Sequence, residues 1–492
     1  MKKTKTVKKK TSKKMGKKLL LFNFILFSIL LIASIFFVYT MYNTNIVPDK
    51  YLIIVGSILT IFIIVHFILT LKRVKVASII LDILLVLIVA VECFAIPKMS
   101  EFIDFVKYNF SAQYDVSIYN IMVSTSSSYN TLEDLDGHEI LLFNETEGNT
   151  LITKINEKIP NPKIKDTEDV MSDLAKLKKD KNMIVIADSS YYETQCENDP
   201  DFENNVKILD TIEIKVKLDK KDVKNINVTK NSFVVYISGI DTRTNSMPTR
   251  SLSDVNILMV VNPDKKQVLL VHTPRDYYVQ LHGTTGLKDK LTHAGTKKGG
   301  INSSLATMQD LYDIDIPFYV RVNFNSVIKV VDAIGGINIY NDQNYTVYSY
   351  VDNVCSYKPG WNNNVKGKCA LLFARERHAY KTGDKHRGEN QEQVIQRIIE
   401  KVSSSTVLLN KYSDILKSLN NSFETNFDQD KMTSLVKMQL NDMAKWNIET
   451  YNVSGKGAMD YTYSYPHQKL YVMYPNSSDV DTAKAKIKEV LG

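Results

Sequence analysis

The stretch SDVNILMVVNPDKKQVLLVHTPRD, Ser253 to Asp276, decides the fold. It holds two branched apolar runs, Asp254–Val261 and Gln267–Pro274, on either side of NPDKK. Short runs rich in Val, Ile and Leu and bounded by turn residues read as buried strands. Asn, Pro and Asp between them are hairpin-turn chemistry. A third run, FVVYISGID (Phe233–Asp241), precedes them. As an antiparallel meander, the three strands bring Asp241, Asp254 and Arg275 to one edge of the sheet. The loop TRTNSMPTRSLS adds Arg243 and Arg250 there.

Downstream, INSSLATMQDLY and NSVIKVVDAIGG have helical spacing, CALLFARER reads as a buried strand, and NQEQVIQRIIEKV is an amphipathic helix. Residues 232–492 are therefore expected to form one mixed α/β domain, long enough for its own core. Upstream, residues 98–219 read as a smaller α/β accessory domain. EILLFN and MIVIADSS look like buried parallel strands. The helices between them have N-cap candidates in Asn149 and Asp166. This domain shows no catalytic constellation; it could bind a ligand, hold a partner or act as a spacer. A charged stretch, KVKLDKKDVKNINVTKN, joins the two.

The first 18 residues hold ten lysines and no acid. Apolar runs follow at Leu19–Tyr42, Tyr51–Leu71 and Val76–Ile96, each long enough to cross a hydrocarbon core as a helix. A basic run beside a spanning helix is first a topology signal and a contact for anionic lipid, rather than a nucleic-acid site. The tail and the loop KRVK (Lys72–Lys75) are placed inside, so the chain after Pro97 is outside. The expected location is the cell membrane, multi-pass, with the larger domain extracellular. That external part is near neutral, with 48 basic residues against 51 acids. Its basic clusters are therefore local features. His66 and Asp82 lie at similar depth in neighbouring spans and are expected to hydrogen-bond, whereas Glu92 is close enough to the outer end to reach the interface. Cys355 and Cys369 flank a turn-rich segment, where they form either a disulfide or two free thiols.

The stretch RERHAYKTGDKHRGENQ (Arg375–Gln391) gathers basic groups that serve either as a solvated face or as a polyanion cradle. On a strand, Arg375 and Arg377 share a face. At the start of a helix, Arg387 and Gln391 share another, beside backbone N–H groups that favour an anion. Arginine meets phosphate oxygens two at a time. Asp241 and Asp254 suit either a hard divalent cation such as Mg²⁺ or a structural ion-pair network with the arginines. No Gly-x-Ser-x-Gly, His-Glu-x-x-His or Walker loop is present.

Two resemblances follow. YNTLEDLDGHEILLFNE resembles the opening of a lobe of extracellular solute-binding proteins. More extensively, SGIDTR, SDVNILMVVNP, HTPRDYYV, LTHAGTKKGG, VDAIGGINI, CALLFARERH and GDKHRGENQEQVIQ resemble the LytR-CpsA-Psr family in order and spacing, most closely its capsule-associated CpsA branch. The resemblance implies a membrane-facing phosphotransferase. Such an enzyme moves a glycopolymer from a polyprenyl-pyrophosphate carrier to peptidoglycan. It implies Mg²⁺ held by Asp241 and Asp254, and catalytic roles for Arg275 and Asp276. Arg375, Arg377, Arg387 and Gln391 would bind phosphate, with Arg243 and Lys290 as further candidates and Asp384 orienting arginines or assisting proton transfer. An apolar pocket would take the lipid. Where many members have Ser-Ile-Pro-Arg-Asp, this chain has His272-Thr273-Pro274-Arg275-Asp276, so His272 could face the site or the core. A polyprenyl-pyrophosphate hydrolase and a non-catalytic envelope regulator or scaffold are the rival readings.

Overall fold

The computed structural model describes residues 15–45, 47–111, 114–144, 147–199, 201–217, 225–240, 247–349, 353–381, 383–403 and 423–492. Residues 1–107 with 429–443 form one compact unit, and residues 108–428 with 444–492 form another.

In the first unit, α1 (Lys17–Thr44), α2 (Asp49–Leu71) and α3 (Lys75–Ser111) are each long and apolar enough to cross a membrane. In hydrocarbon, polar side chains must find partners within the bundle. His66 Nε2 accordingly lies 2.9 Å from Asp82 Oδ1, as their equal depth suggested. Glu92 does not reach an interface. It is buried, and its carboxylate accepts a 2.9 Å hydrogen bond from Ser34 of α1. Helix α3 runs through Pro97 to Ser111, so the expected domain start at Lys98 falls inside a helix.

The second unit begins with β1 (Tyr114–Ser124), β2 (Glu139–Leu142), α4 (Gly148–Lys158), β3 (Lys163–Asp166), α5 (Val170–Leu177), β4 (Ile184–Asp188), α6 (Ser189–Asn198), α7 (Phe202–Asn205) and β5 (Val206–Lys217). The sheet order is β3-β2-β4-β1-β5, with β2 parallel to β3 and β4. Every residue of β4 is buried, as a continuous apolar run requires. Gly137, at φ 66°, turns the chain into β2, a conformation that glycine adopts freely. The helix starts differ from expectation. Asn149 lies inside α4, and Asp166 ends β3; Asp169 caps α5 by accepting from the Ser172 N–H.

The remaining elements are β6 (Phe233–Ile240), β7 (Val255–Asn262), β8 (Gln267–Thr273), β9 (Tyr278–Val279), β10 (Asp289–Lys290), α8 (Ile301–Tyr312), β11 (Phe318–Asn323), α9 (Phe324–Ala333), β12 (Ile337–Asn341), β13 (Tyr345–Ser349), β14 (Asn353–Tyr357), β15 (Gly360–Val365), α10 (Gly367–Arg375), α11 (Asp384–Ser403), β16 (Phe423–Thr425), α12 (Gln429–Asp442), which belongs to the first unit, β17 (Asn447–Asn452), β18 (Gly455–Tyr461), β19 (Lys469–Pro475) and α13 (Ser477–Leu491). Six of the strands form the larger sheet. The order is β16-β11-β6-β7-β8-β17. The central three strands form the antiparallel meander, while β11 and β17 add in parallel to β6 and β8. Tyr236, Leu258 and Val271 pack with Met308 and Tyr312 of α8 and Ile487 of α13 in one core. Fully burying a side chain such as Leu258 contributes roughly 2 kcal/mol.

CALLFARER is not a strand. It is helix α10, which packs against α9 with Ala370, Leu371, Phe373 and Ala374 buried. These positions share a helical face, although the apolar run is short enough to suit either element. At its start, a Cβ on Gly367 would stand 2.1 Å from the Ile328 carbonyl oxygen, so only glycine lets the two helices approach. Cys355 and Cys369 are disulfide-bonded and tie β14 to α10.

Candidate functional site

The site is built where the meander turns back. Asp254 immediately precedes β7, and its N–H donates to the Gly239 carbonyl near the end of β6. Arg275 follows β8 and Pro274, and its carbonyl accepts from the Thr292 N–H at 2.8 Å. The antiparallel register thus brings the two side chains together, and Arg275 Nη1 donates to Asp254 Oδ1 at 2.6 Å. Asp276 lies beside them, with Oδ2 3.9 Å from Arg275 Nε and Oδ1 3.4 Å from Lys290 Nζ.

A third carboxylate comes from the smaller sheet's layer. Glu197 of α6 places Oε1 3.0 Å from Lys290 Nζ and 3.1 Å from Arg275 Nη2. Behind it, His293 Nδ1 lies 2.7 Å from Asp289 Oδ1, while Asp289 Oδ2 accepts from the Ser464 N–H and hydroxyl. His293 Nε2 faces Glu197 Oε2 at 3.9 Å. A cavity of about 510 Å³ opens over Arg275, Asp276, Lys290, Glu197 and Arg377, walled in part by Lys469–Tyr471 of β19.

The electrostatics follow from burial and pairing. Burial works to raise the Glu197 carboxyl, but Arg275, then Lys290 and His293, outweigh it and hold the pKa at about 2. Burial also opposes ionisation of Asp289, yet His293 and the Ser464 hydrogen bond hold it at about 2. Arg275 would lose affinity for its proton by burial, but Asp254, Glu197 and Asp276 raise it well above its ordinary value. It is a permanent cation in a partly dry site.

The other expected residues are placed less uniformly. Arg377 lines the cavity, exposed, two residues after α10 ends, and its Nε lies 3.3 Å from His378 Nε2. Arg375 is the exposed last residue of α10. The two therefore do not alternate along a strand and share no strand face. Arg387 is in the first turn of α11, where its N–H donates to the Gly383 carbonyl. Gln391 is buried well past that turn, so it is not a helix-terminal group. His272 faces α11: a Cβ on Gly388 would stand 2.2 Å from its Cε1. Asp241 and Arg243 lie outside the described residues, as does the side chain of Asp384.

The donor chemistry bears on a divalent cation. Carboxylate oxygens suit Mg²⁺, and Asp254 is a carboxylate with one oxygen engaged by Arg275. Among the described residues, no group of three or more His, Cys, Asp or Glu is arranged to hold a metal. Asp254 fits as one hard ligand of an ion that would need Asp241 or phosphate oxygens to complete its shell.

Sequence reasoning did not find Glu197 or the Asp289–His293 pair. The latter left a trace, since the two are four residues apart in DKLTH. Glu197 left none, lying 93 residues from Lys290 in a domain whose sequence shows no catalytic constellation.

Known proteins match the same region. The LytR_cpsA_psr family matches residues 202–478. The protein named polyisoprenyl-teichoic acid–peptidoglycan teichoic acid transferase TagU of Bacillus cereus is 31% identical over 254 residues, 51% of this chain and 79% of that protein. Its Enterococcus faecalis namesake is 32% identical over 45% of this chain and 69% of that one. Biofilm regulatory protein A of Streptococcus mutans is 29% identical, covering 48% of this chain and 59% of its own length. The crystal structure of B. subtilis TagV aligns with a TM-score of 0.45 and 26% identity, covering 53% of this chain and 98% of that one. With the family matched across more than half of its length, through both strands of the opening hairpin and the Pro-Arg-Asp turn, the chain belongs to the LytR_cpsA_psr family.

Proposed function

We propose that this chain is a membrane-anchored phosphotransferase that moves a glycan phosphate from a polyprenyl-pyrophosphate carrier to a hydroxyl of peptidoglycan. The observation that carries this reading is Arg275, a half-dry guanidinium held by Asp254, Glu197 and Asp276 at the floor of an open cavity. The two relatives named as teichoic acid transferases support the reaction class. Phosphoryl transfer needs positioning and charge stabilisation more than covalent chemistry. The acceptor oxygen forms a bond to the phosphorus bearing the glycan. The bond from that phosphorus to the bridging oxygen breaks, and polyprenyl phosphate leaves. Arg275 and Lys290 bind the non-bridging oxygens, where negative charge builds up. Arg377 approaches from the cavity wall, and Arg375, Arg387, Gln391 and Arg243 remain candidates for the outer part of the phosphate site. Asp276, 3.9 Å from Arg275 Nε and 3.4 Å from Lys290 Nζ, orients both and in this reading accepts the hydroxyl proton. Mg²⁺ held by Asp241 and Asp254 would neutralise charge on the pyrophosphate. The carrier's isoprenoid chain ties the donor to the membrane lipid.

Topology supports catalysis outside the cell. The Met15 N–H donates to the Arg73 carbonyl, so the start of α1 and the α2–α3 loop share one end of the helices. Asp49, the first residue of α2, pairs with Lys437 of α12 at 3.0 Å, so that later segment lies at the opposite end. The test is product analysis with the full chain in detergent, given a polyprenyl-pyrophosphate glycan, Mg²⁺ and peptidoglycan. Glycan phosphate covalently joined to peptidoglycan is expected. Hydrolysis alone, with peptidoglycan present, would refute transfer.

A further inference from the structure

The anion site described above contains its own anion. Glu197 belongs to α6, outside the family match, yet its Oε1 bridges the two buried cations that a pyrophosphate would need. Two further contacts seat the smaller sheet's layer on this region. Tyr465 donates to Gln195 Oε1 at 2.9 Å, and the Thr249 N–H donates to the Val116 carbonyl at 2.8 Å. The position of Glu197 is therefore set by packing between two sheets.

The charges are the reason this matters. Arg275, Lys290, Arg377 and Lys469 face Asp254, Asp276 and Glu197, and the formal sum is +1. A pyrophosphate diester brings two negative charges to a cluster that Glu197 leaves only weakly cationic. Withdrawing the Glu197 carboxylate raises the sum to +2, and in a partly dry site a unit charge within hydrogen-bonding distance acts strongly. The resting contact is also incomplete. Glu197 Oε2, His293 Nε2 and Arg275 Nε are buried, and none has a hydrogen-bond partner among the described residues. One Glu197 oxygen carries both cations while the other is idle and Arg275 Nε goes unmet, whereas a pyrophosphate has more oxygens, more widely spread, to meet these donors. Buried polar atoms without partners are uncommon and call for an explanation.

We propose that Glu197 is a positioning residue that holds Arg275 and Lys290 in place and gives way to the donor's pyrophosphate, so that the smaller α/β domain sets the affinity of the anion site. This rests on the reading of Arg275 and Lys290 as the pyrophosphate site. Glu197 does not touch the reacting atoms. It stands in for the substrate anion, and its release accompanies binding.

The test is calorimetric titration of the full chain in detergent with inorganic pyrophosphate, with and without Mg²⁺. Glu197→Gln keeps the shape and removes the charge; it is expected to bind pyrophosphate about tenfold more tightly, a shift of ~1.4 kcal/mol. Glu197→Asp keeps the charge but is one methylene shorter, and an intermediate affinity is expected. In the transfer assay, Glu197→Gln lowers the donor KM without raising kcat, a split that a merely structural residue would not produce. If both variants bind pyrophosphate no more tightly than the wild type, the proposal is overturned. Arg275→Gln tests the underlying reading separately, because unchanged pyrophosphate binding in that variant refutes the anion site itself.

Discussion

Two arginine-bearing segments of the same domain behave differently. The turn HTPRD hangs on the end of a fully paired central strand, and Arg275 is 16% exposed with three carboxylates around it. The stretch RERHAYKTGDKHRGENQ joins two helices through turns, and Arg375 and Arg377 are exposed. The first guanidinium is held among carboxylates before any substrate arrives; the second pair stands exposed, with Arg377 Nε 3.3 Å from His378 Nε2. Preorganised donors are worth more in catalysis than donors that lose freedom on binding.

This contrast can be broken experimentally. Arg275→Gln is expected to lower kcat roughly 10²–10³-fold, the usual scale for removing one preorganised charge-stabilising donor. Comparable losses from Arg377→Gln would break the distinction; a loss of about tenfold is expected there, for an exposed cation with a single arm in the cavity. Steady-state transfer rates on folded variants, checked by melting, measure both.

The disulfide sharpens the comparison, because it ties down the helix that leads to the exposed pair. Removing it as Cys355→Ser with Cys369→Ser opens a loop of 14 residues. Chain-entropy reasoning puts the loss at ~3 kcal/mol, measured by urea unfolding of the full chain in detergent. Gly388→Ala tests the seat of α11 on β8. The added Cβ meets the His272 ring at 2.2 Å, and overpacking of this kind costs about 1–3 kcal/mol. Because His272 lies three residues before Arg275 in the chain, transfer should fall in parallel with the melting temperature.

The smallest effect concerns pH. Burial, opposed by the Asn452 hydrogen bond, pushes Glu392 of α11 up to about 8. Between its ordinary value of 4.5 and about 8, the folded chain keeps a proton that the unfolded chain releases. Its contribution to stability is therefore fully present below pH 4.5 and is lost as pH rises towards 8. Glu392→Gln should flatten that slope in a series of melting curves. Glu197 and Asp289, held at about 2, act in the opposite sense and lose their contribution only as the medium becomes strongly acid.

The three spans, the meander and the meeting of Asp254 with Arg275 were legible because each depends on a local pattern. Twenty apolar residues need no distant partner to define a span. Strand alternation and a two-way turn place strand-end residues together whatever else the chain does. CALLFARER was misread for a related reason: a short apolar run carries no decisive period. Its helical state is decided by the close approach of Gly367 to α9 and by Cys369 bonding to Cys355. With the strand lost, the shared face of Arg375 and Arg377 was lost too.

The sequence by itself determined that this chain is anchored by three apolar helices and that its larger domain sets arginine against carboxylate at the end of a buried hairpin. Only the tertiary structure decided that a third carboxylate, Glu197, enters that site from another sheet, and that Arg377 rather than Arg375 lines its cavity. The physical reason is range. Periodicity and turn chemistry act over a few residues, whereas an ion pair between side chains 93 residues apart arises from the packing of whole layers and leaves no pattern in the chain.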